Sequence, residues 1–269
     1  MHPLIDQNMV ECIRATGNTS PDLPDRRAVL EKWGLPVDRQ AENAVITGCQ
    51  IPAGLPHVLD ALSRVFERRG LSHTFLSREY CCGNNLYRPA IKAKDESALN
   101  ECRSLSAGFV ARNIMAAKEL GARRIIIFCS PCYPIYKHAA PEENIVFYPR
   151  ALAQCLEKIE SPGSVDYYAG CYRLHKKFAP VPMDLAPVAD VFAKFDGLSV
   201  NSIGAPECCY KPGGIKHMID SAKTGTMVHV CTGCYIQALM NQPGDRNLAV
   251  VMLPEFVEQR LSRTEKGNI

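Results

Sequence analysis

The sequence predicts an α/β protein of two pseudo-symmetric lobes, each built on a mostly parallel sheet. Three observations carry this prediction. Short β-rich runs alternate with helical segments through most of the 269 residues, as strands joined by crossover helices do. One arrangement of cysteines is written twice along the chain, and an internal repeat argues for two similar structural units. Each cysteine group follows a predicted strand or lies just beyond one, and loops at strand carboxyl ends carry the chemistry of such sheets.

Residues 1–43 form a polar N-terminal extension with Pro21, Pro24 and Pro36, read as a docking or linking segment. The first lobe, 44–160, opens with a buried strand at 44–47 that ends in Gly48-Cys49. Val58, Leu62, Val65 and Phe66 share one helical face, and Gly70 is its stop. A strand at 73–76 leads into Cys81-Cys82-Gly83. A long helix covers 96–120, with Leu105, Phe109, Ile114 and Ala117 near core spacing and Gly121 beyond its end. A strand at 124–128 delivers Cys129, and another at 144–148 is closed by Pro149. The second lobe, 161–269, repeats the plan. Its strands fall at 165–169 before Gly170-Cys171, at 198–203 before Cys208-Cys209, at 226–230 before Cys231, and at 248–253 before Pro254.

Composition narrows the function classes. Apolar residues make up 46% and charged residues 22%, which suits a globular protein with a buried core. The net charge of +3 and the absence of any long Lys/Arg run argue against nucleic-acid binding, since Lys176-Lys177 is too short a cluster. No stretch approaches the roughly 20 apolar residues of a membrane helix. The start, Met1-His2-Pro3-Leu4-Ile5-Asp6-Gln7, lacks the basic and apolar regions of a secretory signal, so the expected location is the cytoplasm or the edge of a membrane complex. A reducing cytosol and an odd count of thirteen cysteines then speak against a disulfide framework.

Ten of the cysteines form the repeat. The first copy is Cys49, thirty-one residues, Cys81-Cys82, forty-six residues, and Cys129-Ser130-Pro131-Cys132. The second is Cys171, thirty-six residues, Cys208-Cys209, twenty-one residues, and Cys231-Thr232-Gly233-Cys234. Five thiols per copy exceed the needs of one tetrahedral metal ion and suit a polynuclear iron–sulfur cluster. Structural zinc remains open, although adjacent cysteines coordinate one small ion awkwardly. So does a thioredoxin-like redox role for a strand–CxxC–helix such as 230–238. Cys12, Cys102 and Cys155 stand outside the repeat and read as structural rather than as ligands, Cys102 and Cys155 within helical patterns where a buried thiol behaves as a small hydrophobe.

These motifs resemble the cysteine-rich CCG-domain family. The duplicated pattern over residues 44–261 is similar to the catalytic iron–sulfur subunit of heterodisulfide reductase, and relatives include subunits of lactate and glycolate oxidation systems. The resemblance implies two noncubane [4Fe–4S] clusters. One would be bound by Cys49, Cys81, Cys82, Cys129 and Cys132, the other by Cys171, Cys208, Cys209, Cys231 and Cys234. It implies an oxidoreductase that cleaves or forms a small-molecule disulfide between the clusters, with no catalytic side chain beyond them. Electrons would come from a ferredoxin-like subunit, with a flavoprotein or membrane cytochrome subunit behind it. The alternative is an electron-transfer subunit without its own substrate.

Two departures from the family pattern stand out. Tyr210 follows the second Cys-Cys pair where glycine is usual, with Gly213-Gly214 slightly later, and the twenty-one-residue spacer is short. Gly17-Asn18, Arg26-Arg27-Ala28 and Trp33 resemble the linker to a ferredoxin part in fused relatives, and either dock on a separate subunit or pack on their own domain. Arg88, Arg173, His175, Lys176, Lys177 and Lys211 could orient an anionic substrate but read first as a solvated face. His217 and His229 lie near the second motif, and His229, within a strand, reads as a satisfied core histidine.

Overall fold

The computed structural model describes residues 1–242 and 247–267, and among them are two all-parallel four-stranded sheets. Strands β1 (Asn43–Ile46), β2 (His73–Phe75), β3 (Arg124–Ile127) and β4 (Ile145–Phe147) form the first, in the order β2-β1-β3-β4. Strands β5 (Ile159–Tyr168), β6 (Phe195–Ile203), β7 (Thr226–His229) and β8 (Ala249–Met252) form the second, in the order β6-β5-β7-β8. The expected α/β class with two lobes and parallel sheets is therefore the observed one. By contacts the chain divides into two compact units: Met1–Ser63, Gly70–Tyr148 and Leu174–Met183 in one, and Arg64–Arg69, Pro149–Arg173 and Asp184–Ile269 in the other.

In the first unit the central strands are sealed on both faces. Ala44, Val45, Ile46, Ile126 and Ile127 have no exposed surface, which is why β1 and β3 read as unbroken apolar runs rather than alternating ones. Helices Pro56–Arg68, Glu96–Glu119 and Cys132–Ala139 follow β1, β2 and β3 in sequence and make the parallel crossovers possible. The N-terminal extension is structured as well. Its helices Gln7–Thr16 and Arg26–Lys32 are capped by the carboxylates of Asp6 and Asp25, which accept from the Met9 and Ala28 amides at 3.0 and 2.7 Å.

The second unit follows the same order, with helices Ala186–Phe192, Pro212–Asp220, Thr232–Asn241 and Leu253–Gly267. Its first two strands start earlier than their apolar cores suggest, β5 at Ile159 and β6 at Phe195. Their pairing shifts register between Glu160 and Gly163, on either side of Pro162. No helix among the described residues is long and apolar enough to cross a membrane.

Both topologies place a switch point beside the first strand of each sheet. The chain leaves β1 for β2 on one side and returns to β3 on the other, so the loops after β1 and β3 diverge and open a crevice at their carboxyl ends. The same holds for β5, β6 and β7. Cys49 and Cys129 follow β1 and β3, and Cys171 and Cys231 follow β5 and β7.

Two candidate metal centres

Each crevice gathers five thiols in the same order. In the first unit the Sγ atoms of Cys49 and Cys81 lie 3.3 Å apart, and those of Cys82 and Cys132 also 3.3 Å apart. Hydrogen bonds between Cys81 and Cys82, and between Cys132 and Cys129, complete a chain of five. In the second unit Cys209 and Cys234 are 3.4 Å apart, Cys208 is hydrogen-bonded to Cys171 and Cys209, and Cys234 to Cys231. The structure thus brings the ten cysteines together in two groups of five. Cys12, Cys102 and Cys155 instead bond locally to Thr16, the Leu86 carbonyl and the Leu152 carbonyl.

The thiols share protons unequally. Cys82, in hydrogen bonds with Cys132 and Cys81, is pulled down to about 6, and Cys209 is lowered by its bond with Cys234. Their partners move up. Cys49 is raised first by its bond with Cys81 and then by burial, Cys132 by Cys129 and Cys82, and Cys234 by Cys209 and Cys231. In each adjacent pair the second cysteine is therefore the one whose neighbours favour the thiolate, the form that binds metal.

The backbone near these sulfurs is shaped to let them close. Gly48 has φ +86°, and a Cβ there would sit 2.7 Å from Cys129 Cβ and 3.0 Å from Cys129 Sγ. In the second unit Gly214 allows the helix Pro212–Asp220 to start against the Cys-Cys loop, since its Cβ would lie 2.2 Å from the Cys208 carbonyl oxygen. Gly83, after the first pair, has φ +78°, whereas Tyr210 after the second pair is not among the left-handed residues and needs no glycine. The Tyr210 ring is 66% exposed and lies against Gly233, beside Cys231.

Sequence reasoning singled out Arg26 only as part of the N-terminal segment and missed the other groups that hold these loops. The Asn113 side chain accepts from the Tyr80 amide at 2.7 Å and donates to the Tyr80 carbonyl at 2.7 Å, pinning the residue before Cys81. Ser106 Oγ donates to the Cys82 carbonyl at 2.6 Å and is itself bonded by Tyr87 Oη. Glu79 and Arg26 form a buried ion pair beneath the same loops. These partners lie far along the chain from the residues they hold, so the only local signal is a glutamate two positions before Cys81.

The other polar residues near the motifs sort as follows. Arg88, Arg173, Lys176, Lys177 and Lys211 are exposed, as a solvated face requires. His175 is the exception: it is buried, desolvation lowers it to about 4, and its Nε2 is 3.4 Å from Ser130 Oγ, inside the first CxxC. His217 bonds through Nε2 to the Gly204 carbonyl at 3.1 Å. His229 corrects the reading made from sequence. It is fully buried between Tyr168 and Tyr235, but neither ring nitrogen has a hydrogen-bond partner among the described residues, so it is a core histidine that is not satisfied. Desolvation holds it neutral, with its pKa down to about 3.

Among the described residues no three His, Cys, Asp or Glu side chains close on the point a single ion would occupy. Five soft donors gathered in each group suit an iron–sulfur cofactor with a redox function. Among solved structures the chain is similar to glutamate racemase from Thermus thermophilus, at 14% identity and a TM-score of 0.30, over 88% of this chain and 82% of that one. It is also similar to D-lactate dehydrogenase from Escherichia coli, at 12% identity and a TM-score of 0.23, over 84% of this chain and 97% of that one. Likeness at that level implies neither a shared fold nor a shared function. No curated protein matches the chain significantly. Residues 43–134, which include all five cysteines of the first group, match the family model described as a cysteine-rich domain, CCG.

Proposed function

We propose that each thiol group holds a noncubane [4Fe–4S] cluster, through Cys49, Cys81, Cys82, Cys129 and Cys132 in one unit and Cys171, Cys208, Cys209, Cys231 and Cys234 in the other. The chain then serves as the catalytic subunit of a cytoplasmic heterodisulfide-reductase-like complex. The observation that carries this reading is the repeated grouping of five thiols, in one order, at the switch point of each sheet. Clusters held there would supply one-electron transfer, two of them together matching the two electrons that a disulfide takes up. The balanced reaction converts one small-molecule disulfide, two electrons and two protons into two thiols, or runs in reverse. A ferredoxin-like iron–sulfur subunit is the proposed electron partner, with a flavoprotein or membrane cytochrome subunit behind it. The chain's own residues bind and orient: in the first group Cys49 and Cys129 are half-buried, while Cys81, Cys82 and Cys132 are buried.

A second reading is favoured by Tyr210. Its ring covers Gly233 beside Cys231 and narrows the approach to the second group, as an electron-transfer subunit without a substrate of its own would tolerate. Anaerobic reconstitution decides between metals first, since two four-iron clusters predict about eight Fe per chain and little zinc. Cys81→Ser or Cys82→Ser is expected to remove one cluster's spectroscopic signal and spare the other; survival of both signals would refute the ligand assignment. Cleavage of a small disulfide with a low-potential donor supports the catalytic role. Intact clusters that act on no member of a broad disulfide panel support the electron-transfer role instead.

A further inference from the structure

The first thiol group is held by a segment that lies outside the matched domain. Arg26, in the helix Arg26–Lys32, is 8% exposed, and its partner Glu79 is 3% exposed. Arg26 Nη2 lies 2.5 Å from both Glu79 Oε2 and Thr47 Oγ1. Its Nε donates to the Leu76 carbonyl at 2.9 Å and its Nη1 to the Gly48 carbonyl at 3.4 Å. Glu79 in turn accepts from the Gly48 amide at 2.7 Å and the Thr47 amide at 2.9 Å. A single ion pair therefore ties the loop that presents Cys49 to the loop that presents Cys81, and both side chains also bond the backbone of those loops and the Thr47 hydroxyl.

The rest of the same stretch continues the contact. The Cys81 amide donates to the Gly17 carbonyl at 2.7 Å. Thr19 Oγ1 lies 4.0 Å from Cys49 Sγ, and Gln50 donates to Thr19 Oγ1 at 3.0 Å. Gly17 has φ +83°, and a Cβ on it would meet the Glu79 carbonyl oxygen at 2.5 Å, so the backbone itself is pressed against the loop. The second unit holds its corresponding loop differently. Arg173 donates to the Pro206 carbonyl, and Lys211 pairs with Glu207 at 3.1 Å, both from exposed positions.

We infer that Arg26 is a positioning residue for the first thiol group, fixing through Glu79 the separation of Cys49 from Cys81, and that residues 17–26 form the group's outer wall. The geometry stands without iron, whereas its consequence for a resident cluster rests on the iron–sulfur reading. A buried guanidinium also cancels the Glu79 carboxylate beside the thiolates, so the added electron of a reduced cluster meets a neutral pair rather than a bare anion.

The test uses the full chain in two states. In the iron-free, reduced protein, alkylation of each cysteine is followed by peptide mass spectrometry. Arg26→Met is expected to speed labelling of Cys49 and Cys81 by about tenfold or more, while Cys171 and Cys208 stay within about twofold, because only the local opening of those two loops becomes easier. Arg26→Lys, which keeps the charge but not the fork of donors, is expected between wild type and Arg26→Met. Should Arg26→Met not fold, the double change Arg26→Met with Glu79→Gln removes both buried charges and is labelled instead, with the same expectation. In the reconstituted protein the first cluster's midpoint potential falls in Arg26→Met and the second cluster's does not. Unchanged labelling in a folded variant, or equal acceleration at all four thiols, overturns the inference. A wild-type chain that takes up no iron sinks the cluster reading alone, and the labelling still decides what Arg26 does.

Discussion

Gly48→Ala offers a quantitative check on how the first crevice closes. The residue has φ +86°, where an L side chain costs about 1–2 kcal/mol relative to glycine. The new methyl would lie 2.7 Å from Cys129 Cβ, against about 3.5–4.0 Å for an ordinary carbon contact, so one side must give by about 1 Å. Neither can do so cheaply. Cys129 leaves β3 directly after Ile127 and Phe128, both without exposed surface, and Gly48 is held by Glu79. Overpacking of that kind costs about 1–3 kcal/mol, for a total of about 2–5 kcal/mol. At about 2–4 °C per kcal/mol for a protein of this size, the melting temperature of the unit should fall by on the order of 10 °C. Gly170→Ala is the internal control. It shares the left-handed backbone, with φ +73°, but its methyl would meet the Tyr172 ring at 3.0 Å, and a ring can tilt by a few tenths of an ångström. Its cost should stay near the backbone term of about 1–2 kcal/mol. Thermal unfolding of the two iron-free variants, with labelling of Cys129 and Cys231, makes the comparison. Equal melting shifts, or a Gly48→Ala protein as stable as wild type, would refute the close-approach argument.

Two further expectations concern groups away from the sulfurs. Asp166 is buried in β5, and although desolvation pushes its pKa up, donors from Asn201, the Lys223 and Thr224 amides and Thr224 Oγ1 hold it below the ordinary carboxyl value. Its folded value is depressed, so its stabilisation is present above the unfolded value of about 4 and is lost as pH falls through the folded one. Asp166→Asn should cost about 1–3 kcal/mol at neutral pH and flatten the acid limb of the stability curve, as denaturant unfolding at several pH values would show. Cys102 is fully buried, is raised to about 11 by desolvation, and bonds only to the Leu86 carbonyl among the contacts described above. Cys102→Ala should therefore leave the iron content of the reconstituted chain unchanged at a cost of about 1 kcal/mol, and a loss of iron would count it among the ligands.

What can be read from the sequence follows from how local each signal is. The strands β1, β3 and β8 are legible within a residue or two because burial on both faces leaves a short apolar run. The first halves of β5 and β6 are not, since Glu160, Ser161 and Pro162 read as loop, and a register shift at Pro162 is what lets the strand continue. The thiol groups are legible because cysteine is scarce and its spacing tracks strand ends. Their supports are not. Arg26 and Glu79 stand fifty-three positions apart, and Asn113 and Tyr80 thirty-three, so no periodicity links them. His229 shows the opposite limit: its burial is legible, but the missing partners of its two nitrogens depend on three-dimensional neighbours.

The inequality of the two copies takes on a physical form in the structure. Tyr210 is the visible departure, yet the turn after the second pair does not require a left-handed residue, and Gly214 supplies the close approach to the Cys208 carbonyl. The larger difference lies in support. The first Cys-Cys loop is tied down by a buried ion pair, by Asn113 and by Ser106, whereas the second leans on exposed Arg173 and Lys211 contacts and leaves Cys208 half-buried where Cys81 is 2% exposed. Cys208 should therefore meet solvent more readily than Cys81, which lies behind the ion pair.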